Sequence, residues 1–188
     1  MIKNIVIVIV IVVVLFGLYF GSLLPFAKAK LYVRAMGNLQ SIKSLDGFKK
    51  NFDESLDFYS PVGQEETTLF LATEIAGRMI YNGQAEAVSR ELVNYIEPRI
   101  FKNNSRHLLL IASIYGKMFN IYGREDDFKK TEEYLQKLLK INLKSPQALY
   151  SLFDIYQKNR EVEKAKEIGE TILRYWPEDE RIKEALKL

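Results

Sequence analysis

The side chains able to carry chemistry are few in this sequence. It holds one histidine, His107, and no cysteine. His107 stands in Arg106-His107-Leu108-Leu109-Leu110, with no carboxylate or second histidine at metal-ligand spacing, so it is expected at the surface or at a helix start. Without cysteine there is no thiolate nucleophile, no disulfide framework and no cysteine metal site. The acidic pairs Glu65-Glu66 and Asp126-Asp127 fall where helices should begin, and negative charge there offsets the helix dipole. Gly-rich phosphate loops, Gly-x-Ser-x-Gly elbows and two-carboxylate signatures are missing. The expectation is a chain with no catalytic residue, no metal and no cofactor.

Charge narrows the partners. The chain carries 27 Lys and Arg against 24 Asp and Glu. One of those cations, Lys3, precedes a long apolar run, so the remainder is nearly balanced. A surplus that small supports no counterion-release argument, and nucleic acid is not an expected partner.

What must position any site begins with that apolar run. Residues 5–24 contain no charged side chain and are followed by Pro25 and by Lys28, Lys30 and Arg34. A helix of that length, at about 1.5 Å per residue, spans the roughly 30 Å of a bilayer's hydrocarbon core. A cleaved signal peptide has a shorter apolar region, although Ala27-Lys28-Ala29 offers small residues near the right place. A lone strand would leave its backbone unpaired in lipid, so the Val- and Ile-rich run is read as a helix. Gly17 and Gly21 form a Gly-x-x-x-Gly spacing that permits close helix approach and are candidate membrane-helix contacts.

Beyond the run only helices are expected, because apolar residues recur at three- and four-residue spacing. The first helix should continue to about Met36 and stop at Gly37-Asn38. Ser44 can cap a helix over 45–59 with Phe48, Phe52, Leu56 and Tyr59 on one side. Ser60-Pro61-Val62-Gly63 breaks the chain. Further helices are expected over 64–81 and 85–101, with Asn82-Gly83 between them and Pro98 ending or bending the second near Ile96.

The last third carries a repeat. Leu149, Leu152, Tyr156, Ala165, Ile172, Leu173 and Pro177 together resemble a tetratricopeptide repeat, a helix hairpin of about 34 residues. Ala165 is small where the two helices must approach. Phe153 and Gly169 exchange the usual small and large residues of one contact layer. Residues 177–187 read as a capping helix with Ile182 and Leu186 on its apolar side. An earlier unit has Leu108, Ile111, Ala112 and Tyr115 in its first helix and Phe128, Thr131, Leu135, Leu138 and Leu139 in its second. The gap between Tyr115 and Phe128 is too long by about seven residues, almost two helical turns, so an extended hairpin keeps its faces in phase. The insert, residues 116–122, brings Met118, Phe119, Ile121 and Tyr122, which must be covered.

A wider resemblance spans the chain. An apolar helix, a basic edge, Ser44-Leu45-Asp46-Gly47-Phe48-Lys49-Lys50, then Asp57-Phe58-Tyr59-Ser60-Pro61-Val62-Gly63-Gln64-Glu65, then repeats, resemble the carboxyl-terminal region of bacterial O-antigen ligase and polymerase family membrane proteins. In that family a multi-helix membrane domain transfers glycan from a polyprenyl diphosphate carrier. This chain has one such helix and none of that domain. The resemblance implies a non-catalytic appendage of cell-envelope polysaccharide ligation or polymerisation, with a fragment or subunit of a ligase-type glycan transferase as the alternative. It also implies a single pass through the cytoplasmic membrane with the repeats outside. The positive-inside rule alone, with Lys3 before the run and Lys28, Lys30, Arg34 and Lys43 after it, points the other way.

The expected architecture is all-α: one transmembrane helix, then an α-solenoid of tetratricopeptide-like hairpins. Residues 1–36 form the anchor and its extension, 37–102 divergent hairpins, and 103–188 the repeats with their cap. By family alignment the groove positions are Arg106, Leu109, Ser113, Gly116 and Lys117 in the interrupted repeat and Gln147, Tyr150, Asp154, Gln157 and Lys158 in the better one. This mixture of amide, hydroxyl and charge suits a protein or peptide segment. The carboxylate-clamp pattern is not matched, since Asp154 stands where an amide is wanted. Expected partners are therefore a peptide segment in the groove, the bilayer along 5–24 and a multi-helix membrane glycan ligase.

Overall fold

The computed structural model describes residues 2–187; Met1 and Leu188, the ends of the first and last expected domains, lie outside the described residues. Every regular element among the described residues is helical. The chain divides into two compact units, Met1–Leu71 and Ala72–Leu188.

The first unit opens on a continuous rod. Helix α1 (Ile2–Leu18) runs through a π-helical turn, Tyr19–Leu23, into α2 (Leu24–Asn38) and a 3-10 turn, Leu39–Ser41. Pro25 has no N–H for the helix ladder, and the wider turn just before it absorbs the lost bond. The rod is long and apolar enough to cross a membrane, and its apolar window is not buried against the chain.

Helix α3 (Leu45–Asp57) packs on α2. The Ser44 hydroxyl accepts from the Gly47 N–H at 3.1 Å, as its position predicted. Phe48, Phe52 and Leu56 are buried on one face, with Ala35 opposite. Tyr32 sits between two rings, 6.1 Å from Phe52 and 6.3 Å from Phe70. The helix ends before Tyr59, because Phe58 is extended. Tyr59 was expected on the apolar face and is instead 69% exposed.

Lys28 corrects a second expectation. It is not part of a basic edge but is buried, donating to the carbonyls of Ser55 at 2.7 Å, Leu56 at 3.4 Å and Phe58 at 2.8 Å. A cation at a helix C-terminus satisfies carbonyls that have no intrahelical partner and faces the negative end of the dipole. The ammonium thereby fixes the end of α3 to one level of α2.

Helix α4 (Gln64–Glu74) follows Gly63, whose φ of 89° favours glycine, and ends in a second π turn, Ile75–Met79. In the second unit α5 (Glu86–Ile96) gives way at Pro98 to a 3-10 turn, Glu97–Arg99. Then come α6 (Ser105–Tyr122), α7 (Glu125–Ile141), α8 (Pro146–Lys158), α9 (Val162–Tyr175) and α10 (Glu180–Leu186), each packed on the one before. Asn104, Ser145 and Asp179 side chains cap α6, α8 and α10. Gly123, left-handed at φ 68°, closes α6.

Residues 116–122, which the repeat reading treats as an insert, form the last two turns of α6. Met118 and Phe119 are buried, and the Tyr122 hydroxyl is 2.8 Å from Ser89 Oγ and donates to the Gln84 carbonyl at 3.0 Å. The segment around α5 thus covers what the insert exposes. Phe119 meets Phe128 at 5.6 Å, and Phe128 meets Tyr156 at 6.2 Å, carrying the core from α6 through α7 to α8.

Candidate functional site

Two polar clusters hold α6 and α7 against the preceding turns. Glu97 accepts from Tyr115 at 2.7 Å, Tyr134 at 2.6 Å and Lys130 at 3.1 Å. Burial alone would raise its pKa, yet the two hydroxyls and the ammonium hold the carboxyl below its ordinary value. Burial and the same carboxylate push both tyrosines upward. On the other side Arg90 grips Asp127 with both terminal nitrogens, the second bond measuring 2.7 Å, and pairs with Glu86 at 3.0 Å. The Asp127 side chain is 1% exposed. Asp127 thus sits in the first helical turn as expected and also forms a buried ion pair, which the dipole argument did not anticipate.

A cleft of about 250 Å³ opens between α6 and α8. Helix α6 contributes Leu109, Ser113, Gly116, Lys117 and Asn120, a stripe at three- and four-residue steps, and α8 contributes Ser151, Asp154 and Ile155. Thr131 and Leu135 of α7 form the floor. A Cβ at Gly116 would lie 3.5 Å from Thr131 Cγ2, an ordinary van der Waals contact, so the floor lies directly beneath this position.

Five of the ten groove positions expected from the sequence line this cleft: Leu109, Ser113, Gly116, Lys117 and Asp154. Lys117 Nζ donates to the Ala76 carbonyl at 2.7 Å. Asp154 receives Arg181 of α10, and Lys158 bonds Asn120 across the mouth. Tyr150 donates to Asp179, and that bond, with some burial, raises its pKa to about 12. Arg106, Gln147 and Gln157 are exposed outside the cleft lining. Gly17 and Gly21 lie on the rod, and no described atom of another part of the chain would meet a Cβ at either.

His107 begins a helix as expected but is not at the surface. It is fully buried, with its ring 5.2 Å from Phe101. Sequence reasoning passed over Asn120, Ser151 and Ile155, although helical steps from Lys117 and Asp154 reach the first two and a four-residue step from Ser151 reaches the third.

The arrangement offers hydroxyl, amide, ammonium and carboxylate groups above an apolar floor. Its volume lies below the roughly 300 Å³ at which small-molecule sites begin and suits one or two side chains of a docked segment. No protein-family model, curated protein or solved structure matches the chain.

Proposed function

We propose that the chain is a single-pass, membrane-anchored interaction module. Its tetratricopeptide-like hairpins form a short α-solenoid that takes a protein or peptide segment between α6 and α8, and it performs no chemistry of its own. The cleft supports this reading, because five of the ten residues chosen for a groove from their expected repeat positions line one cavity. The rod supports the anchor: its length and composition suit a bilayer, and among the described residues its apolar window is unburied. We place the anchor in the cytoplasmic membrane with the repeats extracytoplasmic, in keeping with the resemblance to O-antigen ligase carboxyl-terminal regions. On that resemblance the docked partner is a multi-helix glycan ligase that this module accompanies.

The test is site-specific photo-crosslinking of the full chain in membranes. A crosslinker at Ser151 is expected to capture a partner segment, and one at Glu167 on α9 is not. Ser113→Trp should fill the cleft and abolish the Ser151 adduct. Equal adducts from Ser151 and Glu167, or a Ser151 adduct indifferent to Ser113→Trp, would overturn the reading.

A further inference from the structure

A four-residue turn from Tyr81 to Gln84 lies between the π turn Ile75–Met79 and α5. The Gln84 N–H donates to the Tyr81 carbonyl at 3.0 Å, and Gly83 stands at φ 92°, the left-handed third residue that such a turn favours. Tyr81, Asn82 and Gly83 are exposed, and a Cβ at Gly83 would meet nothing within 4 Å. Neither the Asn82 side chain nor the Gly83 N–H has a hydrogen-bond partner among the described residues. The peptide unit between the two residues can therefore rotate, because glycine accepts either sign of φ and nothing packs against it.

That freedom permits a reaction within the chain. Once the Gly83 nitrogen gives up its proton to hydroxide, it can add to Cγ of Asn82. The N–Cγ bond forms, the Cγ–Nδ2 bond breaks, and the leaving nitrogen takes a proton from water and departs as ammonia. The product is a five-membered succinimide, and tethering of the two groups supplies the effective concentration. Water then opens the ring at either carbonyl to leave aspartate or isoaspartate. The sequence consumes one water and releases one ammonia, with no oxidant, reductant or enzyme.

Elsewhere in the chain the same route is obstructed. Asn82 is the only asparagine followed by glycine, and at the others a side chain on the next residue shields the attacking nitrogen. Asp46-Gly47 is the one aspartate that could close the same ring onto a glycine nitrogen. There the Gly47 N–H is committed to Ser44 Oγ at 3.1 Å in the first turn of α3. The susceptible pairing is thus locked in one unit and open in the other.

We propose that Asn82 is a site of spontaneous deamidation in the folded chain, which converts the neutral turn over 81–84 into one carrying an isoaspartate carboxylate. Isoaspartate places an extra carbon in the main chain, inside the ring closed by the bond from Gln84 to Tyr81. The Gln84 carbonyl at the edge of that ring accepts from the Tyr122 hydroxyl at 3.0 Å. Deamidation therefore loosens the grip of this turn on the last turn of α6.

The test ages the purified full chain in detergent micelles at neutral and mildly alkaline pH, and follows it by peptide mass spectrometry and isoaspartyl methyltransferase labelling. Asn82 is expected to convert first among the asparagines, faster as pH rises because the attacking nitrogen must lose its proton. Asp46 is expected to isomerise only after unfolding in urea. Asn82→Gln, whose longer side chain would need a six-membered ring, should hold the native-state label at background. Conversion of Asn82 in the unfolded chain but not in the folded one overturns the proposal, as does native-state labelling of Asp46 equal to that of Asn82. Hydrogen exchange in the last turn of α6 should quicken in the aged chain and not in aged Asn82→Gln. Equal exchange in the two would remove the link to Tyr122.

Discussion

The ring of Phe153 occupies the space left by the missing side chain of Gly169. A Cβ built at 169 would lie 3.1 Å from Phe153 Cε2 and 3.0 Å from the tip of Leu186. Phe153 of α8, Gly169 of α9 and Leu186 of α10 thus meet in one contact layer, the large ring on α8 facing the bare backbone of α9. Gly169→Leu is expected to cost about 2–3 kcal/mol by overpacking, and Phe153→Ala about 3–5 kcal/mol by leaving a cavity. The double variant should lose less than the sum by at least about 1 kcal/mol, measured by urea unfolding. Additive losses would mean the two residues do not share a layer.

Lys28→Met keeps the stem and removes the ammonium from three carbonyls. Destabilisation of the first unit by about 2–3 kcal/mol is expected, because buried acceptors lose a charged donor. Hydrogen exchange should show faster opening at the C-terminal turn of α3, while amides of α7 keep their protection. Unchanged exchange in α3 would count against the cap.

Asp127→Ala leaves the Arg90 guanidinium beside an emptied carboxylate site. The expected loss is about 1–3 kcal/mol, because the buried hydrogen bonds of Asp127 are lost while Arg90, 31% exposed, keeps Glu86. Arg90→Met with Asp127→Leu should regain part of it, since apolar replacement of both partners refills the site and leaves neither member of the pair unmatched, and Arg124 remains for Glu86. If the double variant is no better than Asp127→Ala alone, the pair contributes more than charge compensation.

Acid should loosen the second unit through Glu97. Its folded pKa is depressed below 4.5, so its contribution is complete above that value and disappears as pH falls through the lower folded value. Urea midpoints measured downward from pH 5 should fall, and Glu97→Gln should flatten that part of the profile. Tyr115→Phe with Tyr134→Phe should shift the Glu97 titration upward by NMR, because the two hydroxyls that stabilise its charged form are gone. A Glu97 titration unmoved by their removal would contradict this account.

The sequence disclosed the elements better than their contacts. Ser44 as a cap, Pro98 as the end of α5 and the in-phase lengthening of α6 are local effects of capping, ring geometry and helical pitch, all written within a few adjacent residues. Lys28 was misread because a lysine after an apolar run looks interfacial, whereas its acceptors lie on residues 55, 56 and 58. His107 was misread for the same reason, its burial being a tertiary matter. Both π turns were invisible to apolar periodicity, although Pro25 marks where the first must relieve the ladder. The cleft was half legible: positions chosen by resemblance to a repeat fell on the side of α6 that faces it, while in α8 Asp154 lines it and Tyr150 is instead engaged by Asp179.

The lengthened α6 ties the tail of the chain to what comes before it. Truncation at Asn104 would strip away Gln84 and Ser89 and leave the Tyr122 end of α6 without its hydroxyl partners, while Phe119 keeps its α7 neighbour Phe128. A self-sufficient piece of this polypeptide must therefore begin ahead of α5, and shorter excisions should clump on expression.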